Sequence, residues 1–235
     1  MDRSLSALGR KAAPEFIGTA LLVLAVIGSG IAASRLSPGD TGLALFENAV
    51  ATGAALVAII LAVGPVSGAH LNPVITLVDR ITGGMSSREA TLYIAAQIAG
   101  AGLGAILANL MFSLPAVTLS TQDRSGAGLW LSEVIATFGL VLVVFGLARS
   151  GRNEAAPFAV GAYIAAAYFF TSSTSFANPA VTFGRTLSDT FAGIAPASAP
   201  AFVLAQLAGG VLGLLVVQVL YPTDRRTDSD VVMRH

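Results

Sequence analysis

The chain has 235 residues, 54% of them hydrophobic and 11% charged, with 13 basic and 13 acidic side chains and no cysteine; its mean hydropathy is +0.77. An ordinary soluble domain carries about 25% charged residues, so this composition belongs in a lipid bilayer, and zero net charge speaks against a nucleic-acid partner. Lacking cysteine, the chain has no disulfide, zinc ribbon or thiolate nucleophile, while its 25 glycines suit helices that pack closely in lipid.

A short polar start, Met1 to Lys11, leads into the first of six predicted spans. A crossing takes about 20 apolar residues; by that measure the spans fall at 15–34, 43–63, 90–113, 129–148, 156–173 and 200–221. No small-residue cleavage site stands out in the first run, which is read as a retained span. Two further apolar stretches, 72–81 and 178–188, are too short to cross, and each opens with Asn-Pro. They are predicted half-helices, because Asn is a favoured N-cap and proline suits the first helical position, where its missing N–H is no loss.

Basic residues are retained on the cytoplasmic side of short loops. With both termini inside, Arg3, Arg10, Lys11, Arg80, Arg88, Arg149, Arg152, Arg225, Arg226 and Arg234 lie there, and Arg35, Arg124 and Arg185 lie outside. The expected molecule is integral to the plasma membrane with both ends cytoplasmic.

The halves echo one another. Glu15-Phe-Ile-Gly-Thr is answered by Glu133-Val-Ile-Ala-Thr, Asn72-Pro-Val-Ile-Thr by Asn178-Pro-Ala-Val-Thr, and Gln97-Ile-Ala-Gly by Gln206-Leu-Ala-Gly, at offsets of 118, 106 and 109 residues. Three spans per copy is an odd number, so the second copy lies inverted. Residues 1–127 form the first repeat with half-helix 72–81, and residues 128–235 the second with half-helix 178–188. Interrupted segments at matching places in two inverted halves point to a site near the bilayer midplane.

Entering from opposite faces, the half-helices would meet N-terminus to N-terminus. Their macrodipoles, each about half a positive charge, then add at one point, which repels a dehydrated cation and tolerates a neutral solute between the amides of Asn72 and Asn178. The stretches before them, Ser67 to Leu71 and Thr174 to Ala177, run extended at membrane depth, which requires protein or a wet cavity around them. The carbonyls of Gly68, Ala69 and His70, and of Thr174, Ser175 and Phe176, would form a ladder of acceptors along the pore. The N–H groups facing the other way need partners, and the intramembrane carboxylates Glu15 and Glu133 are the expected acceptors, with Gln97 and Gln206 as further loop support. A proton relay is the alternative role for the two acids. His70 reads either as a structural histidine or as a gating switch, and Phe169, Phe170 and Phe176 read as packing.

With these motifs in hand, the sequence resembles the aquaporin and aquaglyceroporin family from Glu15 to Tyr221. The resemblance implies an all-α aquaporin-like fold of six spans and two re-entrant half-helices, the pore motif Asn72, Pro73, Val74 and Asn178, Pro179, Ala180, and a homotetramer with one passive pore per subunit. It implies neither a cofactor nor a metal. Counting as the family pattern does places the selectivity filter at Thr52, Ala166, Ser175 and Val181, without aromatic, His or Arg. Typical members have Arg where Val181 stands, and Ala where Val74 stands. Glycerol channels share the Gly-Ala-His-Leu-Asn-Pro loop, whereas the run from Asn178 to Pro196 is similar to that of a bacterial subgroup associated with uncharged arsenic and related metalloid hydroxides. Arg185, one turn beyond Val181, reads either as a vestibule cation or as a solvated surface charge.

The expected function is a passive channel for small uncharged solutes, glycerol-like or metalloid hydroxides, with water. A water-selective channel, an ion-coupled transporter and a non-conducting adhesion protein are the alternatives. An enzyme is the weakest reading, with two histidines and no evident metal-ligand cluster or activated nucleophile.

Overall fold

The computed structural model describes residues 3–222; Arg225, Arg226 and Arg234, all expected on the cytoplasmic side, lie outside them, as does the side chain of Arg3. The described residues form eight α-helices and one 3-10 turn, with no strand among them. In chain order these are α1 (Arg3–Leu36), α2 (Thr41–Ser67), α3 (Pro73–Thr82), α4 (Ser87–Met111), α5 (Ala127–Arg149), α6 (Ala156–Phe170), α7 (Pro179–Arg185) and α8 (Ala199–Leu220). Helices α1, α2, α4, α5 and α8 are long and apolar enough to cross a membrane.

Several boundaries differ from the sequence expectation, α2 among them in running on to Ser67 rather than 63. Helix α1 reaches back through Pro14 to Arg3, so the polar start is helical. The fifth expected span, α6, has 15 residues rather than running to 173. It stops because the Thr171 hydroxyl bonds back to the Ala167 carbonyl while those of Ser172 and Ser173 reach Gly128 and Glu133 on α5. Helix α7 ends at Arg185 instead of 188. The carbonyls that would follow are already used, with Thr186 accepting from the Ser120 N–H and Leu187 from the Thr118 N–H of the α4–α5 loop.

Pairing of α1 with α4 is mirrored by pairing of α5 with α8, and glycines make both possible. A Cβ on Gly104 would stand 3.0 Å from the Ala20 carbonyl carbon, and one on Gly209 would stand 3.0 Å from Thr137 Cβ. The outward faces present Leu107, Leu131, Phe169, Phe170, Leu204 and Leu215, as expected of helices whose surroundings are lipid.

Candidate functional site

Asn72 and Asn178 cap α3 and α7 by accepting hydrogen bonds from the N–H groups of Val74 and Ala180, each at 2.9 Å. Each proline follows at the first helical position. The two N-termini meet. Asn72 Nδ2 donates to the Ala177 carbonyl and Asn178 Nδ2 donates to the Leu71 carbonyl, both at 2.7 Å.

The loops ahead of these caps are held from behind by the two buried acids. Glu15 accepts from the N–H groups of His70 (3.0 Å) and Leu71 (2.7 Å), from Ser67 Oγ (2.7 Å) and from Gln97 Nε2 (2.8 Å). Glu133 makes the matching set, with Phe176 N and Ala177 N at 2.9 Å, and with Ser173 Oγ and Gln206 Nε2 at 2.6 Å. Each glutamine amide also donates to a threonine, Thr76 or Thr182, whose hydroxyl bonds the carbonyl of the capping Asn. Both acids are fully buried and neither touches the cavity.

Drawing N–H groups toward one side twists the loops. Ala69 and Leu71 take φ of 49° and 50°, and Ser175 and Ala177 take 50° and 48°, left-handed values that cost a side-chain-bearing residue about 1–2 kcal/mol each. Hydrogen bonds to a carboxylate, at about 1.5–3 kcal/mol each, offset that strain. The carbonyls of Gly68, Ala69, His70, Thr174, Ser175 and Phe176 accept no hydrogen bond from the described residues.

A cavity runs past the meeting point. Both capping Asn residues line it, and on the loop side so do Gly68, Ala69, His70, Ser175 and Phe176, while Thr174 does not. The opposite wall is apolar, with Leu22 and Leu140, and Val26 and Val144, standing at equivalent places of α1 and α5. At one end Thr52, Tyr168, Ser175, Val181 and Arg185 surround it; at the other lie Ala148, Asn153 and Pro157.

Ala166, expected in the filter, is exposed on the outside of α6 and does not line the cavity; Tyr168 does. Two residues further along α6, Tyr168 is turned to the wall that Ala166 faces away from. Its hydroxyl donates to Thr52 Oγ1 at 3.2 Å. The aromatic-free constriction read from the sequence is therefore corrected. A buried tyrosine in an apolar run, needing a partner for its hydroxyl, was the available signal. Arg185 is no solvated surface charge either, being 2% exposed and on the cavity wall. Phe176 stands on that wall too, whereas Phe169 and Phe170 face outward.

The His70 ring turns into the protein, with Nδ1 3.2 Å from Thr76 Oγ1, Nε2 3.9 Å from Asp79 Oδ2 and its edge toward Tyr93. Val74 is 2% exposed and off the cavity, set against α8 where Gly210 leaves room. Val74→Ala is therefore expected to leave solute flux within about two-fold and to destabilise by about 1–2 kcal/mol. Proteoliposome flux and thermal unfolding check the pair; a several-fold change in flux at unaltered stability would place the side chain in the pathway after all.

A sequence profile of the family described as major intrinsic protein matches residues 3–177 and 158–234. The chain belongs to that family. Among similar major intrinsic proteins, the aquaglyceroporin AqpS of Rhizobium meliloti is 48% identical over 213 residues, covering 91% of each chain. The aquaporin AqpM of Methanothermobacter marburgensis is 30% identical over 240 residues, covering 91% of this chain and 98% of that one. The X-ray structure of the aquaglyceroporin from Plasmodium falciparum superposes with a TM-score of 0.68 at 22% identity, covering 92% of this chain and 96% of that one, a likeness of fold. Membership makes the chain an integral membrane protein and a passive channel, not an enzyme.

Proposed function

We propose that the chain conducts uncharged, oxygen-bearing solutes of glycerol size or slightly larger, metalloid hydroxides such as arsenous acid among them, together with water. The observation behind this reading is the two-faced cavity, lined on one side by Gly68, Ala69, His70, Ser175 and Phe176, whose carbonyls accept no hydrogen bond from the described residues, and on the other by aliphatic side chains. A hydroxylated solute exchanges its water for the carbonyls while its carbon or metalloid side rests on the apolar wall. The pore motif is Asn72, Pro73 and Val74 with Asn178, Pro179 and Ala180, and the narrow end is formed by Thr52, Tyr168, Ser175 and Val181. Glu15, Glu133, Gln97 and Gln206 keep the two loops in place.

Residues 1–127 and 128–235 act as inverted repeats, four chains assemble with one pore each, and both termini face the cytoplasm across the plasma membrane. The name of the relative AqpS, an aquaglyceroporin, supports the glycerol-like solute class, and the small Val181 supports solutes bulkier than water.

The test is a permeability panel of water, glycerol, urea and arsenous acid on purified protein in liposomes, with and without Val181→Arg. Filling the narrow end is expected to lower glycerol and arsenous acid flux at least about ten-fold, in line with what small steric changes do in a fitted pocket, and to lower water flux much less. Glycerol flux that ignores the substitution would remove Val181 from the constriction.

A further inference from the structure

The end of the cavity at Val181 holds a charge that position 181 does not supply. Arg185 is 2% exposed yet contributes to the cavity wall. Its one side-chain hydrogen bond to the described residues runs from Nε to the Ala192 carbonyl, and no carboxylate pairs with it among them. Its guanidinium carbon lies 3.3 Å from the centre of the Phe176 ring. Nη1 and Nη2 have no protein acceptor among the described residues, and the residue lines the cavity, so their N–H groups are left to whatever passes.

The support for that guanidinium is fixed in turn. Phe176 is 4% exposed, its N–H is bound by Glu133 at 2.9 Å, and its ring packs edge-on against Phe202 at 5.0 Å. Arg124, from the α4–α5 loop, lies 5.2 Å from the same ring centre and donates to the carbonyls of Gly193, Ser173 and Phe191. A second positive charge therefore stands behind the first. Arginine suits this place because it stays charged when buried, stacks on an aromatic face and presents several fixed donors.

We propose that Arg185 is the specificity-determining cation of this channel, reaching the pathway from one helical turn beyond Val181 to exclude cations and to donate hydrogen bonds to solute oxygens. The assignment rests on the reading of the cavity as the conduction pathway. A cation shedding water there meets, at short range, a positive charge that no carboxylate among the described residues pairs with directly, where the surroundings screen poorly. A neutral hydroxylated solute meets N–H donors on one side and the Val181 methyl groups on the other. The wall can thus be small at position 181, admitting bulk, without losing its charge.

Liposomes containing the full chain test this with methylammonium uptake beside water and glycerol flux. Arg185→Gln is expected to raise methylammonium entry at least about ten-fold, and Arg185→Lys, which keeps the charge, to hold it near the wild-type level. Val181→Asp, no bulkier than the valine it replaces, sets a carboxylate one turn before Arg185 and neutralises it without removing it or filling the opening, so the same leak is expected there even if Arg185→Gln does not fold. Folded variants, judged by their thermal unfolding, that exclude methylammonium as well as wild type does would overturn the assignment of Arg185 alone. Wild-type liposomes that pass neither water nor glycerol would overturn the pathway reading, and this assignment with it.

Discussion

Replacing Glu133 with alanine is expected to destabilise the protein by about 3–5 kcal/mol, the usual consequence of deleting one side of a buried charged network. The carboxylate receives four hydrogen bonds, two from the backbone N–H groups of Phe176 and Ala177 and two from Ser173 and Gln206. Deleting it orphans all four donors where no water competes, and removes what offsets the left-handed conformations of Ser175 and Ala177. Thermal unfolding in detergent should fall by roughly 10 °C for a chain of this size, and solute flux should be lost with it. Glu133→Gln is expected to lie between the two, since its carbonyl oxygen still accepts while its NH2 group faces other donors. An alanine variant with wild-type unfolding and flux would show that the loop holds its shape without the acid.

The second large effect is expected from Gly104→Val. The α1 backbone passes so close that even the first carbon of a side chain would stand 3.0 Å from the Ala20 carbonyl carbon and 3.1 Å from its Cα. These are backbone atoms, which do not swing aside, so the helices must separate along their contact, where the Cβ of a residue at Gly100 would likewise stand 3.1 Å from the Phe16 carbonyl carbon. Overpacking a core costs about 1–3 kcal/mol where side chains can adjust; parting two helices adds lost contact along both. Separation also moves Glu15, on the same helix, away from the loop it holds. Folded yield and unfolding temperature should both drop sharply, and a valine variant purified at normal yield and stability would mean that α1 and α4 tolerate a wider spacing.

Much of this arrangement was legible in the amino acids because the chemistry leaves few options. An Asn-Pro pair at matching repeat positions names two helix starts, and an acid within an apolar run demands donors. Glu15 and Glu133 therefore led to the loops that they hold, and Gln97 and Gln206 followed from their recurrence. What stayed hidden depended on contacts distant in sequence. The end of α7 is set by Thr118 and Ser120, more than 60 residues upstream. Tyr168 rather than Ala166 meets the cavity because the packing of α6 against α2 and α5 decides which of its residues face inward, and a count back from Asn178 carries no such information. Arg185 lay on the expected face, but its burial came from Phe176 and Ala192, whose positions no helical periodicity encodes. Val74 faced away from the cavity because Gly210 leaves a hollow on α8, a complementarity between two residues 136 positions apart.

The crossed amides of Asn72 and Asn178 bear on biosynthesis. Asn72 finds its acceptor 105 residues later in the chain, and the Leu71 carbonyl finds its donor 107 residues later. While the ribosome is still making α5 and α6, the Asn72 amide and the Leu71 carbonyl therefore lack the partners that they have in the finished fold. Neither of these two hydrogen bonds can form until synthesis has passed Ala177 and Asn178, so the join at the centre of the cavity is completed late in the making of the chain.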